Sequence, residues 1–500
     1  MASADTPVAG ARASSTEGGG ARLQGGQLTV ANCIALSAAV MAPVIAVVLN
    51  APAAAGNGGG GLPLAFLAAF VATAFVANTV IEFSKRLPSS GSFYTFCSHG
   101  LGSAAGFFTG WLYFAAFVLL AVGLFTANGA FLRDYLDSEV GVNIPWWVLS
   151  LILMGFVLLL SIRSIVASVR VDLILLAFEM IVFLILGIII VAKAGDGNSL
   201  EYFTPSASPD GVSGIGLAAV FGILSFIGFE SAAVLGDETR NARKSIPRAV
   251  LGATVIIGIF YVFMMYALSA GYQLNDPAQM KAFLGDATPF PTLSERYASG
   301  MTQIIAIAAI LGLFSCFLAV QNATVRVIFA MGRDRVLPPG LGRVHPTWHS
   351  PHVAIFALTI FSVVVGIALS AWLGSGLTDV YGWTGSIATV AIVLVYIMAN
   401  LALIRFFAND PDRSLLRHVI MPILGILALL YPLYAVAKPG QDHPFNLVPI
   451  IVVAWLLIGV VVYFLLRSRD PGKLAALGKA IADDDDHSEV SHTAAPAGSR

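Results

Sequence analysis

Apolar runs of about 20 residues, the length a helix needs to cross the hydrocarbon core of a bilayer, recur along the whole chain. Twelve are legible, near 28–50, 62–83, 103–132, 146–163, 171–193, 214–236, 247–270, 299–322, 352–372, 378–405, 417–437 and 446–467. The chain is 57% hydrophobic and 11% charged, where a soluble protein carries about 25% charged residues. The expected fold class is therefore an all-α polytopic membrane protein with 12 transmembrane helices, not a series of soluble domains. A net charge of -1 implies no basic surface, so nucleic acid is not an expected partner. The bilayer is.

Orientation follows from the basic residues, which are retained on the cytoplasmic side. With the N-terminus inside, Lys85, Arg86, Arg163, Arg170, Arg240, Arg243, Lys244, Arg248, Arg326, Arg333, Arg335, Arg343, Arg405, Arg413 and Arg417 all fall in cytoplasmic connections. The exterior side keeps only Arg133, Lys193, Lys281, Arg296 and Lys438. Both termini are expected inside. Residues 1–26 read as a disordered tail without the basic start and apolar core of a signal peptide. Residues 468–500, with "DDDD" at 483–486, read as an acidic one. Between them lie a ten-helix core, 27–405, and two further helices, 406–467.

Two of the runs are interrupted. The first, "ANCIALSAAVMAPVIAVVLN", gathers small residues from Ser37 to Ala42 and then places Pro43. Proline removes a backbone donor and clashes with the carbonyl four residues back. The sixth, "LSFIGFES", sets Gly228 mid-run between Ser225 and Glu230. Backbone groups freed in hydrocarbon must be satisfied by protein, water or ligand. Breaks in corresponding spans of two halves point to a transporter's binding site.

The stretch "FIGFESAAVLGDETRNARKSIPRAV", 226–250, resembles the sixth-helix signature of the amino acid–polyamine–organocation permeases. Two further blocks extend the resemblance. "KRLPSSGSFYTFCSHGLGSAAGFFTGWLYF", 85–114, is similar to the family's connection after helix 2. "NATVRVIFAMGRDRVLPPGLGRVHPTWHSP", 322–351, is similar to that after helix 8. The resemblance implies a LeuT-like fold. Helices 1–5 and 6–10 would be inverted repeats, about 28–193 and 214–405, and substrate would sit between helices 1, 3, 6, 8 and 10. Many members carry a Gly-Ser-Gly-like triplet at the first break. Here Met41-Ala42-Pro43 stands there, so how an α-carboxylate is held, or whether the substrate has one, stays open.

By the same resemblance, carbonyls of Leu224, Ser225 and Ile227 would meet a substrate amine. Amides near Val40, Met41 and Ala42 would meet a carboxylate, Phe226 and Phe229 would cover the site, and Gly228 would let unwound backbone approach the ligand. Intramembrane carboxylates are functional candidates. Glu230, beside the second break, and Glu179, midway along the fifth run, are therefore the expected proton-coupling groups. For each the alternative is a hydrogen-bonded structural acid. A sodium site is disfavoured because the eighth run offers Ser315 but Cys316 beside it. Glu82 is expected to pair with Lys85 or Arg86.

Other features carry less. "GNGGGG", 56–61, lacks the Gly-Lys-Ser/Thr of a phosphate loop and reads as a flexible exterior turn. Cys33, Cys97 and Cys316 lack metal or disulfide spacing. His345, His349 and His352 lie in a Pro-interrupted loop, and no metal or cofactor is expected. Tyr381 and Trp383 read as interface anchors, with an exterior gate as the alternative. No HExxH or GxSxG set lies in the runs, so an enzyme is not expected. The expectation is a secondary active permease of the cell membrane for amino acids or related amines, working by alternating access and coupled to protons. The alternatives are an ion-independent exchanger and a membrane-embedded nutrient sensor.

Overall fold

A computed structural model describes residues 25–286, 289–374, 379–437 and 443–469. The expected tails lie outside the described residues except for 25, 26, 468 and 469, the last two of which continue α17; Lys438 also lies outside them. Among the described residues there is no strand; one isolated bridge joins Leu28 to Thr239.

The helices follow the apolar runs closely. The first run divides into α1 (Val30–Val40), α2 (Pro43–Ile45), a wide turn over Ala46–Asn50 and α3 (Ala51–Gly58). Then come α4 (Leu62–Arg86), α5 (Phe93–Leu101), α6 (Ser103–Tyr135), α7 (Trp146–Arg163) and α8 (Ile165–Lys193). The second half holds α9 (Gly211–Phe226), α10 (Ala242–Tyr272), α11 (Pro277–Leu284), α12 (Pro289–Ala298), α13 (Thr302–Arg333), α14 (His352–Leu373), α15 (Asp379–Phe406), α16 (Met421–Ala437) and α17 (Val448–Arg469).

Eleven helical stretches among the described residues are long and apolar enough to cross a membrane. Twelve were expected. The difference lies in the first stretch, Val30–Arg86, whose 57 residues form one nearly unbroken helical path. At 1.5 Å per residue this is about 85 Å of helix, far more than one crossing of about 30 Å requires.

The Gly58–Gly61 turn inside that stretch departs from the flexible exterior loop expected of it. All four glycines are buried. Gly59 has φ +57°, and a Cβ there would meet Pro209 Cδ at 2.6 Å. One at Gly60 would collide with Asn275 Oδ1. These glycines serve close backbone approach against the 200–215 segment. The connections also hold more helix than expected, with α5 after α4, and α11 and α12 within the 271–298 loop. The eighth run extends to Arg333.

α6 forms the axis of the bundle and packs against α15, α13, α5, α7 and α14, while α4 packs along α10. Lipid tails are as apolar as leucine, so these helices associate through close packing and polar ties. Asn322 Nδ2 donates to Ser168 Oγ at 2.6 Å, and Thr79 Oγ1 to Asn400 Oδ1 at 2.6 Å. Trp111 and Trp455 stack at 4.4 Å, and each indole N–H donates to the other's backbone carbonyl. The outer flanks of α8, α14 and α17 carry exposed isoleucines, valines and leucines such as Ile174, Val364 and Leu457.

Candidate functional site between two broken helices

The two breaks face each other. In the first, Ala42 takes the left-handed conformation, φ 52°, and Pro43 opens the next helical turn. Proline suits that position because its missing N–H is one of the donors a helix start leaves unused. In the second, α9 ends at Phe226, Gly228 has φ 106°, and a tight helix continues over Phe229–Leu235. A Cβ at Gly228 would collide with Val40. The glycine is therefore required twice, by its φ and by its contact with the first break.

Polar groups tie the breaks together. The Tyr261 hydroxyl lies 2.6 Å from Met41 O and 2.9 Å from Ser225 O, bridging both carbonyls from α10. Ala232 N–H donates to Ser37 Oγ at 2.8 Å, and Asn50 Nδ2 to Ser225 Oγ at 2.9 Å. A small cavity of about 30 Å³ remains, lined among others by Val40, Met41, Ala42, Leu224, Ser225 and Ile227. Leu120 and Leu124 of α6, Cys316 and Val320 of α13, and Tyr381 of α15 complete its walls. No charged side chain lines it.

Six of the eight expected substrate residues thus border one cavity. Phe226 does not. It packs away from it, edge-on to Tyr261 at 5.1 Å and stacked with Phe70 at 5.9 Å. Gly228 does not line it either and sits against Val40. Phe229 packs on Tyr396 at 5.4 Å. The donors expected at Met41 and Ala42 are committed locally, because their N–H groups bond Ser37 O and Ala39 O at 3.1 Å each. The Ser225 and Met41 carbonyls are engaged by Tyr261, whose role the sequence did not signal.

On the side of the Gly58–Gly61 turn lies a wider cavity of about 680 Å³, and Asn50, Leu224 and Tyr381 border both. Tyr381 thus faces the cavities, while Trp383 is buried and donates Nε1 to Pro444 O at 3.1 Å. The opposite side carries buried ionic and backbone ties. Arg326 holds Glu238 through two bonds, 2.7 and 3.2 Å, with both side chains almost fully buried. The Gln27 and Leu28 N–H groups donate to Glu238 O, and Arg240 N–H to Leu28 O. Arg333 pairs with Asp237 at 3.0 Å.

The two expected coupling acids occupy unlike surroundings. Glu230 is fully buried and accepts from Tyr396 Oη at 2.8 Å, Gly228 N at 3.1 Å and Tyr113 Oη at 3.4 Å. It joins the second break to α6 and α15. Glu179 is also buried, but its Oε2 has no partner and lies against Gly312 of α13. Seven residues earlier on α8, and so on the same face, stands Asp172, which sequence reading missed. Its Oδ1 accepts from Ser315 Oγ at 3.5 Å, and its Oδ2 has no partner. The pairing of the two acids on one helix face was a signal available in the sequence.

The discounted features find local explanations. Glu82 bonds Lys85 at 2.7 Å, as expected, and also His418 at 3.3 Å. His345 stacks on Trp348 and accepts from two backbone N–H groups. No group of three metal-ligating residues occurs among the described residues. All three cysteines are free and buried.

The amino acid permease family model matches residues 34–465, most of the chain. The chain belongs to that family. The chain is similar to the branched-chain amino acid permease BcaP of Bacillus subtilis, with 26% identity over 83% of this chain and 87% of the relative. It is 24% identical to the Lactococcus lactis protein of the same name, over 88% and 94%. It is 27% identical to the low-affinity putrescine importer PlaP of Escherichia coli, over 62% and 69%. The family is one of membrane transporters of small molecules and not of enzymes.

Proposed function

We propose that this permease carries neutral amino acids with compact aliphatic side chains, by alternating access and coupled to protons. The observation that carries the substrate reading is the cavity between the breaks, walled by Val40, Ile45, Leu120, Leu124, Ile227 and Val320 with no charged side chain. A diamine such as putrescine brings two cationic ends, and a wall whose polar side chains, Asn50, Ser225 and Tyr381, are all neutral offers no carboxylate to pair with the second. A branched aliphatic side chain fits such a wall, in keeping with the names of two relatives. The α-carboxylate would lie toward the start of the Pro43 turn, where the Val44 and Ile45 N–H groups belong to a helix start.

Alternating access is supported by the asymmetry of the two sides, with a wide cavity above the breaks and the Glu238–Arg326 pair below. With both termini inside, as the basic residues favour, the open side is the exterior. The first stretch then crosses twice, making twelve spans, of which residues 27–405 form the transport core. Glu179 is the proton carrier in this reading, with Asp172 two turns away on the same face of α8, because each keeps one buried oxygen without a partner among the described residues. Glu230 serves as a tie that holds the second break. Purified protein in proteoliposomes tests the reading. Leucine, isoleucine and valine should compete for labelled leucine uptake, while putrescine and arginine should not. Uptake should be driven by an inward proton gradient without sodium. Efficient competition by putrescine would overturn the substrate assignment.

A further inference from the structure

We propose that the flank formed by α6, α14, α15, α17 and the connection after α13 binds one anionic phospholipid. Its acyl chain would lie in a side cavity, and its phosphate at Arg335 and Arg343. The cavity measures about 430 Å³, within the range of small-molecule sites. It is lined by apolar residues, among them Leu112, Val118, Leu337, Leu341, Phe361 and Trp455. The single polar atom among those side chains, Trp455 Nε1, already bonds Trp111 O at 3.1 Å. A cavity of this composition offers water no partners.

Its mouth identifies the occupant. Phe361 borders the cavity and is 46% exposed, on a flank of α14 that continues through exposed Phe356, Ile360 and Val364. In a bilayer that flank meets hydrocarbon, so an acyl chain is what can enter. The other end of the cavity is bordered by Leu337 and Leu341, which belong to the polar connection between α13 and α14. The cavity therefore runs from the hydrocarbon to the level of the headgroups.

That connection supplies the charge. Arg335 and Arg343 each stand two residues from a lining leucine, and both are exposed. Neither has a carboxylate partner among the described residues, whereas Arg326 and Arg333 nearby are paired with Glu238 and Asp237. Guanidinium groups match phosphate in geometry as well as charge, and basic groups at the membrane edge attract anionic lipid. Trp348 of the same connection, 43% exposed, suits the interface. The inference is independent of the substrate reading. Only the name of the leaflet, cytoplasmic, depends on the orientation proposed above.

Native mass spectrometry of the full-length protein is the test, after delipidation and readdition of phosphatidylglycerol or phosphatidylcholine with the same acyl chains. Wild type should retain one phosphatidylglycerol, roughly five-fold or more in excess over phosphatidylcholine. Ala357→Trp should fill the cavity and lose both lipids. Arg335→Gln with Arg343→Gln should keep chain binding and lose the headgroup preference. Equal retention of the two lipids by wild type, or unchanged retention by Ala357→Trp, would overturn the proposal. Should Ala357→Trp not fold, wild type with a phosphatidylglycerol carrying a mid-chain diazirine decides. Labelling concentrated on 112–119 and 357–361 supports the site, and even labelling of the exposed flanks of α8 and α10 refutes it.

Discussion

Glu230 and Glu179 are both buried acids within helical spans, yet their surroundings differ, and the proposed function gives them opposite tasks. Every oxygen of Glu230 has a donor, and the donors come from three elements, α6, the second break and α15. A carboxylate held this way fixes geometry. Glu179 and Asp172 each keep an oxygen with no partner, and among the described residues only Ser315 donates to either. A buried polar group without a partner costs about 1–3 kcal/mol, and such a cost persists where the group is needed to change state. The two carboxyls stand on one face of α8, and among the described residues no cation bonds either. In the proposed function, this contrast separates a tie that positions the backbone from a pair that exchanges a proton.

The largest effect expected is from Gly228→Leu. Its side chain collides with Val40, and its φ of 106° is strained for any residue but glycine. Transport should vanish while membrane insertion persists, checked by uptake and by yield after membrane extraction. Near-normal uptake would mean that the contact between the breaks can relax.

Glu230→Gln comes next, and it probes the tie directly. The amide must turn its NH2 toward a hydroxyl or N–H that now needs an acceptor. Stability should fall by about 1–3 kcal/mol, and gradient-driven uptake and exchange should fall together and to the same extent. Tyr396→Phe, which removes one 2.8 Å bond, should show the same pattern at roughly 1 kcal/mol. Selective loss of accumulation in Glu230→Gln, with exchange intact, would instead make Glu230 the proton carrier and collapse the distinction.

Glu179→Gln should give the reverse pattern. Its Oε2 has no bond to lose, so yield and exchange should stay within about twofold. Accumulation driven by a proton gradient should disappear, because the side chain can no longer change charge. Counterflow exchange and gradient-driven uptake measured on one preparation separate the two acids.

These differences explain what could and could not be read from the sequence. The apolar runs, Pro43 and Gly228 were legible because each acts through local chemistry, a run length, a missing donor or a permissive φ. The partners of Glu230 were not, since Tyr113 and Tyr396 lie 117 and 166 residues away in the chain. Phe226 could not be oriented from its place in "LSFIGFES", because one residue of helix decides whether a ring faces the cavity or Tyr261. Asp172 stands one residue inside the fifth apolar run, where nothing marks it as deep, and α8 starts seven residues earlier, at Ile165. The glycines at 58–61 suggested freedom, where the fold uses their lack of a side chain for contact.

The smallest effect sharpens the role of Asp172. Ser315 Oγ reaches Asp172 Oδ1 at 3.5 Å, the limit of a hydrogen bond, and nothing else among the described residues bonds that carboxyl. Ser315→Ala removes the contact and adds no bulk. At that length the bond is weak, so stability should change by less than about 1 kcal/mol, and exchange should not change measurably. If α8 carries only protons, accumulation should also survive in Ser315→Ala, since a proton needs no cage of oxygens. A metal cation does, and hard cations take several oxygen ligands at once. Loss of accumulation in Ser315→Ala, together with sodium dependence in wild type, would show that Asp172 and Ser315 hold a metal ion and would displace the proton reading of α8. Unchanged accumulation with sodium absent would leave the two carboxyls as the coupling pair and confine Ser315 to keeping Asp172 in place.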